Sequence, residues 1–275
     1  KKTNMNLPIY QVDAFTNEVF RGNPAAVMPL KEWIPEDLMQ QIAMENNLAE
    51  TAFFVPLYPG DSGGADYHIR WFTPTLEIDL CGHATVAAAF VISECLKTEE
   101  KKIRFSTEKV GILEVTVEED WYLLDFPSRM PEPVAEPALL YKALGIDHIK
   151  EVLVSRDYFV VLENEAAVRD LKPDFSLLKQ LDRMGVIVTA KGDVADAVSR
   201  CFYPKAGIDE DPVTGSAHCN VVPYWSRQLG KKQLVCRQIS SRGGELVCED
   251  RGERVILGGQ AVLFMKGEVH LQWQE

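Results

Sequence analysis

The chain has 275 residues, 46% of them hydrophobic and 25% charged, with a formal net charge of −12. This is the balance of a folded globular protein, not a disordered one, and the length exceeds one average domain. The negative charge argues against a broad nucleic-acid surface, which needs clustered Lys and Arg, but allows a small anionic substrate at a local positive site.

In chain order, Lys1 to Tyr10 carries two basic residues and no apolar core long enough for a secretory signal. Pro35 to Asn46 has amphipathic helical spacing, and an apolar strand begins at Glu50. Tyr67 to Phe72 mixes aromatic and β-branched residues and reads as a strand that Pro74 ends. Ala84 to Leu96 is apolar on almost every side, which predicts a buried helix; its apolar run falls far short of the ~20 residues that span a bilayer. Further strands are expected at Ile112–Val117, Trp121–Phe126, Val186–Thr189, Leu234–Ile239, Leu246–Glu249 and Val262–Met265. Prolines crowd Pro127 to Pro137, which reads as a linker between halves 1–127 and 128–275. Ser216 to Gly230 predicts a second helix, ended by Gly230 and bent or interrupted at Pro223. Scattered cysteines without a Cys-x-x-Cys pair read as free thiols of a cytoplasmic protein. The histidines form no His-x-x-x-His pair and no cluster with cysteine in sequence, so no metal site is expected.

Two of these segments match each other. Arg70, Phe72, Pro74, Ile78 and Asp79 recur as Arg200, Phe202, Pro204, Ile208 and Asp209, at an offset of 130 residues. Gly82 and Ala84 recur as Gly215 and Ala217 after a three-residue insertion. An offset near half the chain points to duplication of one α+β module. The expected architecture is two barrel-like mixed sheets, each wrapped around one central buried helix, with an active site between the copies.

The chemistry is expected where those two helices start. A helix N-terminus presents unpaired N–H groups and partial positive charge, which suits a carboxylate. Gly82 and Gly215 allow close approach of a ligand, and Thr214 and Ser216 offer hydroxyls for binding or for capping. His83 follows Gly82, where the helix dipole is expected to lower its pKa and favour neutral imidazole. Asp211 approaches the second helix start and is either a catalytic group or a partner of the dipole. Glu50, a carboxylate among apolar neighbours, is a candidate acid/base, although a Glu at a strand edge is more often structural. Asn23 occupies a turn and either shapes it or binds substrate. Cys81, beside Gly82, reads as a low-pKa thiol or as a small buried residue.

Together, Asp13-Ala14-Phe15, Arg21-Gly22-Asn23-Pro24, Asn47-Leu48-Ala49-Glu50-Thr51, Cys81-Gly82-His83-Ala84-Thr85, Asp211-Pro212-Val213-Thr214-Gly215-Ser216 and Gly258-Gly259-Gln260-Ala261-Val262 resemble the PhzF-like isomerase family of phenazine biosynthesis. The resemblance runs over nearly the whole chain. It implies a diaminopimelate-epimerase-like fold, a homodimer, and a proton shift that needs neither metal nor cofactor. It also implies that Glu50 is the acid/base, with His83, Asp211, Gly215 and Ser216 in the same pocket. Racemases of this fold use two opposed cysteines. Here Cys81 has no counterpart in Thr214-Gly215-Ser216, which counts against two-base inversion. A Cys81-dependent epimerase and a non-catalytic binding protein on this scaffold are the competing readings.

Overall fold

A computed structural model describes residues 2–58, 60 and 63–274. The chain divides into two units, Lys1–Asp125 with Gly259–Glu275, and Phe126–Gly258.

The first unit contains strands β1 (Lys2–Ala14), β2 (Asn23–Pro29), β3 (Glu50–Pro56), β4 (Tyr67–Phe72), β5 (Glu77–Ile78), β6 (Lys102–Ser106), β7 (Ile112–Glu118) and β8 (Trp121–Pro127). β1 and β2 are antiparallel, β2 and β3 parallel, and β3, β4 and β5 antiparallel. β6 joins β4 in parallel and continues antiparallel through β7 to β8. The strand Ala261–Gln274 returns to pair with the whole of β1. Helix α1 (Glu36–Asn46) makes the crossover that a parallel β2–β3 pair requires, burying Leu38, Met39, Ile42 and Ala43 on one face. It ends at Asn47, whose left-handed backbone (φ 50°) turns the chain into β3.

Helix α2 (Gly82–Phe90) is the buried helix expected from the sequence: every residue from His83 to Ala89 is buried. Alanines at 84 and 87–89 let it lie close against β1, β2 and β3. Its last part, Val91–Cys95, widens into a π-helical turn, so the α-helix ends short of Leu96.

The second unit contains β9 (Glu132–Pro133), α3 (Ala138–Leu144), β10 (Glu151–Val154), β11 (Tyr158–Val161), α4 (Glu165–Arg169), α5 (Phe175–Leu178), β12 (Val186–Lys191), β13 (Ala197–Tyr203), β14 (Ile208–Asp211), α6 (Gly215–Leu229), β15 (Gln233–Gln238), β16 (Gly244–Asp250) and β17 (Arg254–Gly259). Its joints repeat the first unit's order. β10 and β11 are antiparallel, β11 and β12 parallel, and β12, β13 and β14 antiparallel. β13 and β15 are then parallel, and β15, β16 and β17 antiparallel. Each unit is thus an α+β module with a mixed sheet and one buried helix.

Two expectations are corrected here. Pro223 does not interrupt α6, which runs through it to Leu229. Lacking an N–H, Pro223 leaves the carbonyl of Cys219 free within the helix, and that carbonyl accepts the backbone N–H of Arg129 at 2.8 Å. Asn220 Nδ2 donates back to the Arg129 carbonyl at 2.5 Å. This pins the proline-rich stretch, where β9 also pairs with β10, so the expected linker is docked along its length. All six cysteines are free thiols. Among the described residues, no helix is long and apolar enough to cross a membrane.

Candidate active site

Glu50 is the first residue of β3, and β2 lies beside it in parallel, with Ala25 opposite Glu50. The turn into β2 needs Gly22: its φ is +64°, and a Cβ there would lie 2.2 Å from the Ala14 carbonyl oxygen. Asn23 follows, buried, as the first residue of β2 and not as a turn residue.

Cys81 and His83 bracket Gly82 at the start of α2. Cys81 is the N-cap residue, and its carbonyl accepts both the Thr85 N–H at 3.1 Å and the Thr85 hydroxyl at 2.6 Å. This fixes the first turn and sends the imidazole of His83 towards β3. His83 Nε2 lies 3.0 Å from Glu50 Oε2, while Nδ1 lies 3.4 Å from the Cys81 sulfur. Glu50, Cys81 and His83 are 8%, 7% and 6% exposed. The contact between His83 and Glu50 is an ion pair without hydrogen-bond alignment, and neither Nε2 nor Oε2 has a hydrogen-bond partner. In a dry site this is costly, and both atoms remain available to a third group.

Two expected pKa directions are reversed by these neighbours. Burial alone favours the neutral ring of His83, yet Cys81 and Glu50 outweigh it and hold the pKa well above the ordinary value. The helix dipole therefore does not decide the charge of His83. The Cys81 thiol is not acidic: burial raises its pKa, the Glu50 carboxylate raises it further, and His83 and the Ala84 N–H offset only part of this.

The second unit assembles a different group. The N-cap of α6 is Thr214, but its hydroxyl does not cap the helix; it donates to Asp211 Oδ2 at 2.5 Å. Gly215 and Ser216 form the first turn. Gln238 holds the pair from behind: its Oε1 accepts the Thr214 N–H at 2.8 Å, and its Nε2 donates to the Asp211 carbonyl at 2.7 Å. Sequence reasoning passed over Gln238. The signal was present, because Leu234, Cys236 and Gln238 are the inward positions of one alternating strand, and a buried Gln there needs partners. His218 Nδ1–H donates to the Thr214 carbonyl at 2.8 Å, and burial lowers its pKa to about 4, which keeps it neutral. Cys219 is no substitute for a second catalytic thiol, since burial pushes it up to about 11.

The first unit thus brings Glu50, His83, Cys81 and Gly82 together, and the second brings Asp211, Thr214, Gly215 and Ser216 together. Sequence spacing gave no hint of a metal-ligand cluster. The fold nevertheless places one donor atom each from Glu50, Cys81 and His83 within 4.8 Å of one another.

Comparison with known proteins identifies the fold and the family. The fold class is that of the epimerases: a hydroxyproline epimerase from Agrobacterium vitis superposes with a TM-score of 0.59 at 11% identity, over 97% of this chain and 93% of its own. A PhzF-family phenazine biosynthesis protein from Enterococcus faecalis superposes with a TM-score of 0.92 at 51% identity, over 97% of this chain and 100% of its own. A Pseudomonas aeruginosa relative named an uncharacterized isomerase is 49% identical, over 97% of this chain and 100% of its own. The phenazine biosynthesis-like pattern matches residues 12–267, and the chain belongs to that family. Its enzyme class is isomerase.

Proposed function

We propose that the chain catalyses a cofactor-independent proton shift on a small carboxylated substrate, with Glu50 as the acid/base. The observation that carries this reading is the buried contact between Glu50 and His83 at the start of α2. Glu50 accepts a proton from carbon as the carboxylate, and His83 Nε2 lies 3.0 Å from its Oε2 to hold it in place. The C–H electron pair moves into the substrate's conjugated system, and the protonated Glu50 then returns the proton to a second carbon. Negative charge building on the substrate carboxylate is met by the helix N–H groups at Gly82. Within the second unit, Asp211, held by Thr214 and Gln238, is the candidate polar contact for a ligand.

The thiol-based alternative needs Cys81 to ionise, and its raised pKa speaks against that. Glu50→Gln is expected to lower solvent-deuterium incorporation into a turned-over substrate about 10²–10⁴-fold with the fold intact. Cys81→Ala is expected to retain activity. Full exchange in Glu50→Gln, or its loss in Cys81→Ala, transfers the role to another group.

A further inference from the structure

The Glu50, Cys81 and His83 cluster has a second property that the proton shift does not use. Its donors are a carboxylate oxygen, a thiol sulfur and an imidazole nitrogen, all buried and mutually within 4.8 Å. Such a mixed S/N/O set suits Zn²⁺ and not Mg²⁺ or Ca²⁺, which prefer oxygen ligands throughout. Three protein ligands and one open position is also the pattern of zinc sites that admit an outside ligand. An independent observation points the same way: His83 Nδ1 faces the Cys81 sulfur at 3.4 Å, and Oε2 of Glu50 is buried without a hydrogen bond. Native interiors leave few polar atoms in that state unless a further ligand is meant to reach them.

We propose that Glu50, Cys81 and His83 form a Zn²⁺ site, and that its occupation switches the enzyme off. The bound ion takes the electron pair of Glu50 that would accept the substrate proton, so metal and catalysis exclude each other. The Cys81 thiol, which the proton shift leaves idle, gives the site its preference for a soft ion. The proposal rests on Glu50 being the acid/base only for its inhibitory half. The metal site stands on geometry alone.

The sequence shows only the Cys81-Gly82-His83 pair of this site, because the third member comes from another element. Glu50 opens β3, whereas Cys81 and His83 flank Gly82 at the start of α2. Spacing rules detect ligands that share one helix or one loop. They miss a third ligand brought by a neighbouring strand.

The test is titration of the full-length protein with Co²⁺, followed by displacement with Zn²⁺. Cobalt bound to a thiolate gives a near-ultraviolet charge-transfer band, which reports the ligand directly and needs no substrate. One Co²⁺ per chain is expected with that band, and Zn²⁺ is expected to abolish it at one equivalent. Cys81→Ala should remove the band, and Glu50→Gln should weaken Zn²⁺ binding at least about tenfold, since even the loss of outer partners costs that much. Absence of the band overturns the proposal. So does its persistence in Cys81→Ala, which would place the ion on another thiol such as Cys236 or Cys248. Solvent-deuterium exchange run with a chelator separates the two readings. If Glu50→Gln abolishes exchange but wild type binds no Zn²⁺, the metal site alone fails. If Zn²⁺ binds as described while Glu50→Gln exchanges normally, the acid/base assignment and the inhibitory half fail together, and the metal site remains.

Discussion

Arg70 in the first unit and Arg200 in the second stand over the rings of Phe72 and Phe202 at the same distance, 5.2 Å. Each guanidinium forks onto a carboxylate: Arg70 onto Glu77 at 2.7 and 2.6 Å, Arg200 onto Glu210 at 2.8 and 2.9 Å. At the helix starts, Thr85 reaches back to the Cys81 carbonyl and His218 to the Thr214 carbonyl, from the same place in the first turn. The frame was therefore duplicated down to its side-chain clasps. The chemistry was not. In register with these markers, Thr51 lies opposite Phe72 and Val186 opposite Phe202, so the counterpart of Glu50 is Gly185. A Cβ at Gly185 would lie 2.3 Å from the ring of Tyr203, which fills the space where the first unit keeps its carboxylate. Likewise His83 has Ser216 as its counterpart. One unit kept a titratable pair beside its helix start, and the other kept a rigid cradle.

The largest effect that would break this comparison is on turnover. If a proton shift depends on the first unit alone, Glu50→Gln loses about 10²–10⁴-fold in rate while Asp211→Asn loses less, measured as deuterium incorporation per enzyme. Equal losses would make the two units chemically equivalent after all. Next come the clasps. Arg200 also donates Nη1 to the carbonyls of Arg169 and Leu171 at 3.1 and 2.9 Å, whereas the extra partner of Arg70 is the exposed Glu36. Arg200→Ala removes more hydrogen bonds from part-buried acceptors and is expected to cost about 2–4 kcal/mol in urea unfolding, against about 1–3 kcal/mol for Arg70→Ala.

The third test concerns acid. His218 has a depressed pKa of about 4, so its neutral form supports folding fully above the ordinary value near 6.5, and that support is lost as pH falls towards 4. Replacing it with the first unit's residue, His218→Thr, should remove about 3 kcal/mol of the stability difference between pH 7 and pH 4, as read from paired urea curves. An unchanged pH dependence would mean that His218 does not carry the acid sensitivity. The smallest effect is at Gly185. Gly185→Ala is expected to cost about 1–3 kcal/mol through overpacking against Tyr203. A neutral result there would show that the ring moves aside, and that a carboxylate had room in the second unit too.

Much of this was legible in the sequence. The Arg–Phe–Pro–Ile–Asp pattern revealed the duplication, and the all-round apolar stretch after Gly82 revealed the buried helix, because both signals are local. Glu50, His83 and Asp211 were reachable through motif resemblance, not through their own neighbourhoods. What failed were the statements that depend on three-dimensional company. The helix dipole predicted a neutral His83, but Cys81 beside it and Glu50, brought in by β3, together reverse that. Cys81 looked acidic beside a helix start, but burial and the same carboxylate raise its pKa. Pro223 looked like a break, because nothing in its own segment announces that the Arg129 N–H will satisfy the orphaned carbonyl. Short-range signals fix elements. Charge states need the neighbours that only the sheet supplies.

The pairing of β1 with Ala261–Gln274 has a consequence for biosynthesis. A ribosome releases β1 well before Ala261–Gln274, the strand that covers it. All of Phe126–Gly258 emerges in between as one uninterrupted stretch. The unit begun first is thus completed last, and β1 spends the intervening time as an open edge in need of protection. A chaperone is the natural guard for that interval, and truncation before residue 261 would leave the edge permanently bare.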